Sequence, residues 1–518
     1  MIDAKEGSIS SRLATNSLFS LAQTAIVGVF GLLTTIVLAR MLGPFEFGRY
    51  SYLMWLIGVL ALLASCGLPN TVTRYVAEYQ GKDQPDTARL IYRRLLKFEL
   101  GFSFLITVAF YLLAVWIAEP QWRVLLWISG LSLIPMSIVR LQAATAAGLQ
   151  KYWVIAFVSL LAAPLQFGLL VLVVYMGLGL PAVLAVQAVL SLFQVWLFHR
   201  KVSPFFRERG GISVEQIDLE ARKRIMRFAT TVFAVTLIDA VVWQKSEVFF
   251  LKLFSSMEEV AFYSLAFTIT YILMQVPAAC SNVLFPFFSE TFGKHDVEAL
   301  KKVFSLSTKY LSFIAVPLGF GGVLLAGPLI RAFYGQNYEA AITSLRLLLI
   351  AGTLGTIARP ASSILYSTEN QAFILKVGCP LAVVNILLDL WLIPSYGAIG
   401  AAVANDVAQL SGFGLGIFHL IRNLRYDFPV WILARIGGAA LVAFFPAYWV
   451  SSFVGPIALL FLAAITCPPI YIGVLRLVQA VDQEDLLLLK KLLRGAPLPL
   501  RTPGILLGRF FDPTFVVQ

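Results

Sequence analysis

Long apolar runs separated by short polar links fill this chain from end to end. A membrane-spanning helix needs about 20 mostly apolar residues. About fourteen runs reach that length: roughly 14–39, 47–68, 96–118, 123–148, 152–176, 181–198, 226–250, 260–287, 304–326, 341–366, 372–393, 398–421, 431–450 and 456–477. The pattern predicts an all-α polytopic membrane protein of about fourteen transmembrane helices.

Charge orders the links. The link at 74–97 carries Arg74, Lys82, Arg89, Arg93, Arg94 and Lys97, and those at 199–227 and 290–309 are also basic. The links at 176–181, 393–397 and 450–456 contain neither Lys nor Arg. Basic links stay in the cytoplasm. A multi-pass cell-membrane protein with both termini cytoplasmic is therefore expected. Its outward links are too short to hold an external domain.

Composition agrees. Of the 518 residues, 59% are hydrophobic and 13% charged, and mean hydropathy is +0.83. A soluble domain needs more surface charge than this. The net charge of +12 lies mostly in the basic links, so no nucleic-acid partner is expected. Cys66, Cys280, Cys379 and Cys467 sit in apolar stretches without metal-ligand spacing and read as packing residues. No cleavage site follows the first apolar run, which reads as a retained span. After the last run, "DQEDLLLLKKLLR" (482–494) has a Leu-rich face with Lys490, Lys491 and Arg494. It suits a helix lying on an anionic membrane surface.

The chain also repeats itself. "EYQGK" (78–82) recurs as "ETFGK" (290–294). Glu46 with Tyr50 and Ser51 matches Glu259 with Tyr263 and Ser264; Asn70 matches Asn282, Arg140 matches Arg359, and Gly177 matches Gly397. The offset grows where the outward link near 327–338 is longer than its partner near 119–122. Six spans return the chain to the side it left, so the two halves are parallel repeats. The expected organisation is a six-helix lobe at 1–205, a cytoplasmic linker at 206–221 and a second six-helix lobe at 222–425. Two further helices at 426–478 and a cytoplasmic amphipathic tail at 479–518 complete it.

The stretches "LFSLAQTAIVGVFGLLTTIVLARMLGPFEFGRYSYL" (18–53), "GLPNTVTRYVAEYQGK" (67–82) and "ATAAGLQKYW" (144–153) resemble the polysaccharide flippases. These belong to the multidrug, oligosaccharidyl-lipid and polysaccharide exporter superfamily. The resemblance runs through both lobes. It implies movement of a polyprenyl-pyrophosphate-linked glycan from the cytoplasmic to the outer leaflet by alternating opening of the lobes. It also implies polymerase and glycosyltransferase partners in the same pathway, alongside membrane lipids. Residues 13–39 carry no charge, whereas lipid II flippases carry arginines in the first helix. This favours a lipid-linked glycan other than the peptidoglycan precursor.

Ionisable groups inside spans are costly and mark function. Arg140 and Arg359 occupy equivalent repeat positions, and Arg74, Arg346 and Lys376 join them as candidate contacts to a pyrophosphate head group. Arginine's planar fork suits phosphate oxygens; the alternative is that these side chains snorkel to the interface. The acids Asp239, Asp389 and Asp406 have first-lobe counterparts Ile26, Leu169 and Val186, so their work belongs to the second lobe. Glu99 is the exception in the first lobe and reads as close to the cytoplasm. Asn385 and Asp389, spaced i and i+4, share a helix face. With Asp239 and Asn405 they make a hard-oxygen set suited to a small cation. The set resembles the sodium site that lipid II flippases build from helices 7, 11 and 12. A proton site and a structural hydrogen-bond network are the other readings. Asp406 points away from Asn405 and is assigned a separate part. No cofactor is expected beyond sodium or protons as coupling ion. No P-loop, HExxH or catalytic triad pattern is present, so an enzyme is not expected. The alternatives are a multidrug exporter of the same superfamily and a membrane glycan polymerase or glycosyltransferase.

Overall fold

The structure is a computed structural model. It describes residues 2–117, 119–206, 219–242, 245–281, 288, 296–367, 371–450, 453–483, 485–487, 490, 505 and 508–512. The side chains of some helical residues, Asp239 among them, lie outside the described set.

The described residues are helical almost throughout. In chain order the helices are α1 (Ile2–Ser65), α2 (Leu68–Gly81), α3 (Pro85–Ile117), α4 (Pro120–Gly130), α5 (Leu133–Gly148), α6 (Tyr152–Tyr175), α7 (Gly179–Val202) and α8 (Leu219–Val242). Then come α9 (Glu247–Phe254), α10 (Met257–Ser281), α11 (Val297–Leu324), α12 (Ala326–Phe333), α13 (Ala341–Ser367), α14 (Gln371–Asn423), α15 (Val430–Val450) and α16 (Pro456–Leu477). Among the described residues, eleven helical stretches are long and apolar enough to cross a membrane. The protein is an all-α, multi-pass membrane protein. Large apolar side chains such as Trp116, Leu112, Trp391 and Ile465 stay exposed, as lipid-facing residues do.

Two of the stretches, Leu18–Ser65 and Lys376–Asn423, run for 48 residues each. A straight helix of that length would extend about 72 Å, more than twice the hydrocarbon thickness of about 30 Å. Each breaks near its middle at a glycine with positive φ: Gly43 (φ 75°), followed by Pro44, and Gly397 (φ 52°). Other expected spans are interrupted within the apolar run. The run at 47–68 stops at Ser65 and restarts at Leu68, with Cys66 (φ 44°) and Gly67 (φ 73°) between. The run at 123–148 divides into α4 and α5, and the run at 226–250 into α8 and α9.

The chain folds into two compact units. The first comprises Met1–Gln275, Tyr334–Leu348 and Ala372–Gly412. Its main core joins Val72 and Tyr75 of α2, Ile91 of α3, Leu141 of α5, Val158 of α6 and Phe198 of α7. On its basic links, Glu78 on α2 accepts from Lys82 Nζ at 2.7 Å and from Arg224 Nη2 of α8 at 2.7 Å. Elsewhere, Tyr338 donates to the Ala39 carbonyl oxygen at 2.8 Å and lies edge-on to Phe47 and Phe262.

The second unit comprises Val276–Phe333, Leu349–Gln371 and Phe413–Gln518. Here α15 buries Ala439, Ala440, Ala443 and Ala447, one face of the helix. Lipid tails are as apolar as leucine, so membrane helices associate through close packing, and small residues permit it. Against this face sit Tyr471 and Leu475 of α16 and Val316 of α11. The acidic start of the segment after α16 is pinned to α11. Lys309 Nζ, almost wholly buried, donates to Asp482 at 2.8 Å and to Asp485 at 2.7 Å, and Tyr310 donates to Asp485 at 2.7 Å. The "ETFGK" copy of the repeat and Asn282 lie outside the described residues.

Candidate ion and head-group sites

The interruption of the 226–250 run positions an acid. Helix α8 ends at Val242 and α9 begins at Glu247. Non-helical backbone at membrane depth is tolerated only where protein or a cavity surrounds it, and Glu247 is fully buried. Its carboxylate gathers donors from two other helices of the first unit. Tyr263 Oη on α10 donates to Oε2 at 2.7 Å. Asn405 Nδ2 donates to Oε1 at 3.0 Å and Asn385 Nδ2 at 3.4 Å, both from α14 on opposite sides of Gly397. Gln409 Nε2 in turn donates to Asn405 Oδ1 at 2.7 Å.

The Gly397 break brings the two halves of α14 to the same place, and Glu259 fixes it. Glu259 Oε2 accepts the Ala398 backbone N–H at 2.7 Å. A Cβ at Gly397 would run into that carboxylate. The repeated Glu of the sequence thus anchors the helix that presents Asn405.

Asp389 completes the cluster. It is fully buried, and both of its carboxylate oxygens lack a hydrogen-bond partner among the described residues. The charge of Glu247 acts on it, and on Asp406. Two buried carboxylates that feel each other's charge without a counter-ion would cost several kcal/mol per charge. The arrangement calls for a proton or a cation. Among the described residues no three His, Cys, Asp or Glu side chains are grouped closely enough to hold a metal ion. A sodium ion here would rest on two acids supplemented by amide oxygens, a donor set that suits a hard cation.

Of the four residues expected at this site, the structure gathers Asn385, Asp389 and Asn405. The side chain of Asp239, on α8, lies outside the described residues. Asp406, given a separate part by the sequence, is buried and also feels the charge of Glu247. Glu247 itself was not singled out. The signal was available: Lys245 and Glu247 are charges inside a candidate span, and such a pair marks either a span end or a break.

The expected head-group cations lie on α2, α5, α13 and α14. Arg74 is exposed on α2 and stacks on Phe228 at 4.4 Å. Lys376 is exposed on α14, and Arg346 is half-buried and Arg359 exposed on α13. Arg140 on α5 is half-buried and makes no hydrogen bond or ion pair among the described residues. Its charge acts on Glu99 of α3, which is fully buried in the protein.

The profile of the family described as polysaccharide biosynthesis protein matches residues 37–343, more than half of the chain. The chain belongs to the polysaccharide biosynthesis protein family. It is 26% identical over 335 residues to the succinoglycan biosynthesis transport protein ExoT of Rhizobium meliloti, covering 62% of this chain and 63% of that one. It is 37% identical over 107 residues to the lipid III flippase of Escherichia coli, covering 21% of this chain and 25% of that one. It therefore spans less than two thirds of either relative's length. Among solved structures, the lipid II flippase MurJ in an inward closed conformation superposes with a TM-score of 0.70. That match covers 88% of this chain and 97% of MurJ at 14% identity, a likeness of fold.

Proposed function

We propose that this family member is a flippase. It carries a polyprenyl-pyrophosphate-linked oligosaccharide from the cytoplasmic to the outer leaflet by alternating access, as a secondary transporter rather than an enzyme. Family membership and the flippase and transport relatives support the substrate class. The observation that carries the mechanism is the buried Glu247–Asp389 pair. In a chain without a nucleotide-binding loop, a carboxylate pair that requires a proton or cation is the means of drawing on an ion gradient. Glu247, Asn385, Asp389 and Asn405 hold the coupling ion, with Asp239 as a further contributor, and sodium is preferred over protons.

The architecture is that of fourteen helices. Two passes for each 48-residue stretch, and one for the interrupted α8–α9 run, raise eleven candidate spans to fourteen. The lobes are 1–205 and 222–425, and both termini face the cytoplasm. Arg140 and Arg359, with Arg74, Arg346 and Lys376, contact the head group as the lobes open in turn. The ion shifts the equilibrium between states only by its differential affinity for them, so it is well held in one state and poorly in the other. A polymerase and glycosyltransferases of the same pathway supply and consume the glycan.

The test is export in cells lacking the native transporter. Arg140→Ala and Arg359→Ala each abolish glycan export while leaving the protein inserted. The lysine variants restore part, because a point charge lacks the bidentate fork. Normal export in both alanine variants would overturn the head-group assignment.

A further inference from the structure

The first unit holds a second under-satisfied pair, well away in sequence from the Glu247 cluster. Glu99, midway along α3, is fully buried. Its Oε1 accepts from Ser65 Oγ at 2.9 Å, at the residue where α1 stops before the Cys66–Gly67 break. Its Oε2 is buried and has no hydrogen-bond partner among the described residues. Arg140 on α5 is the cation that acts on it, yet the two form no ion pair within 4 Å, and the guanidinium meets no other acceptor among the described residues. From the other elements packed against α3, the facing groups are Ser65 and the Cys66 thiol of α1.

The buried Glu99 oxygen and the half-buried guanidinium are thus left without protein partners among the described residues, each about one turn from the Ser103–Ser137 hydrogen bond that joins α3 to α5 at 2.8 Å. A closed ion pair would satisfy both at little cost. The open arrangement suits a third group lying between them. An anionic oxygen satisfies the arginine but is repelled by an ionised carboxylate, and like charges in a low dielectric interact strongly. The conflict disappears if the acid is neutral, because a protonated carboxyl becomes a donor.

We propose that Glu99 takes up one proton from solution when a phosphate group binds Arg140, and that the neutral acid then donates a hydrogen bond to a phosphate oxygen. The proton travels with the bound head group and returns to solution when the phosphate leaves and Glu99 ionises again. Substrate binding in the first unit is thereby linked to pH, independently of the ion held by Glu247 and Asp389. This rests on the reading of Arg140 as a phosphate contact.

The test uses the full-length protein in detergent with farnesyl pyrophosphate as the probe. Proton uptake on binding is followed with a pH-indicating dye in weak buffer. The wild type should take up close to one more proton per bound probe than Glu99→Gln, whose own uptake reports only the titration of the pyrophosphate. Its affinity should strengthen by up to about tenfold more per unit fall in pH than that of the variant. Glu99→Asp keeps an ionisable group and should retain the uptake, which separates proton binding from an effect of the substitution on folding. Equal uptake in the wild type and Glu99→Gln would overturn the role of Glu99 and leave the Arg140 assignment intact. Unchanged binding in Arg140→Ala, or no binding by the wild type, would overturn the Arg140 assignment and this proposal with it.

Discussion

Tyr263 gives its phenolic hydrogen to Glu247 across 2.7 Å, and neither side chain is exposed at all. Tyr263 belongs to the repeated Glu…Tyr-Ser pattern, and Glu247 opens the helix after the break. Removing the hydroxyl leaves the ring packing against Phe267 while taking a donor from a buried carboxylate. Losing a hydrogen bond to a charged group costs about 1.5–3 kcal/mol. Tyr263→Phe is expected to lower the thermal unfolding midpoint in detergent. The loss should shrink in a Glu247→Gln background, where the charge is gone. Equal losses in both backgrounds would detach the tyrosine from the acid.

The sequence displays some parts of this molecule and hides others. Span positions were legible because a lipid-crossing helix needs a long apolar run, and little else in the chain has that form. Asn385, Asp389 and Asn405 were legible because polar groups stand out in such runs, and an i, i+4 pair shares a face. Their convergence on Glu247 was not, because it depends on two backbone breaks. Gly397 folds α14 back, and the interruption before Glu247 divides the seventh run. Apolar periodicity registers neither, since residues on both sides of a break remain apolar. The burial of Glu99 was not legible either, because it comes from the packing of α3 against α1 and α5, which an apolar run does not register.

The Glu78 cluster gives a pH-dependent stability. The hydrogen bond from Lys82, then that from Arg224, holds the Glu78 carboxyl below its usual range. A depressed folded-state pKa contributes stability above the unfolded pKa, which is lost as pH falls through the folded value. Glu78→Gln should therefore cost about 0.2–1 kcal/mol at neutral pH, the range for solvent-exposed ion pairs. The cost should vanish once pH is well below about 4, the ordinary carboxylate range. Melting curves of the two proteins across pH check this; a difference independent of pH would contradict it.

Backbone approach constrains Gly48. A Cβ there would overlap the Met257 carbonyl oxygen, a backbone atom unable to change rotamer, whereas a Cβ at Gly58 meets nothing within 4 Å. Gly48→Ala should cost about 1–3 kcal/mol or more and reduce the yield of folded protein. Gly58→Ala in the same span should behave as wild type. Size-exclusion profiles of the two variants in detergent distinguish them, and matching profiles would remove the close approach.

Transport in sealed vesicles reads out ion coupling itself. Purified protein is reconstituted with a fluorescent polyprenyl-pyrophosphate-linked oligosaccharide, and leaflet exchange is followed by quenching from outside under an imposed sodium gradient. We expect wild-type exchange to follow the gradient, and Asp389→Asn to exchange lipid at a rate that ignores it. Exchange that follows a pH gradient alone, in Glu99→Gln as in the wild type, would give the same carboxylates a proton to carry. Exchange indifferent to both gradients in the wild type, or equally gradient-dependent in Asp389→Asn, would contradict ion coupling through the Glu247–Asp389 pair.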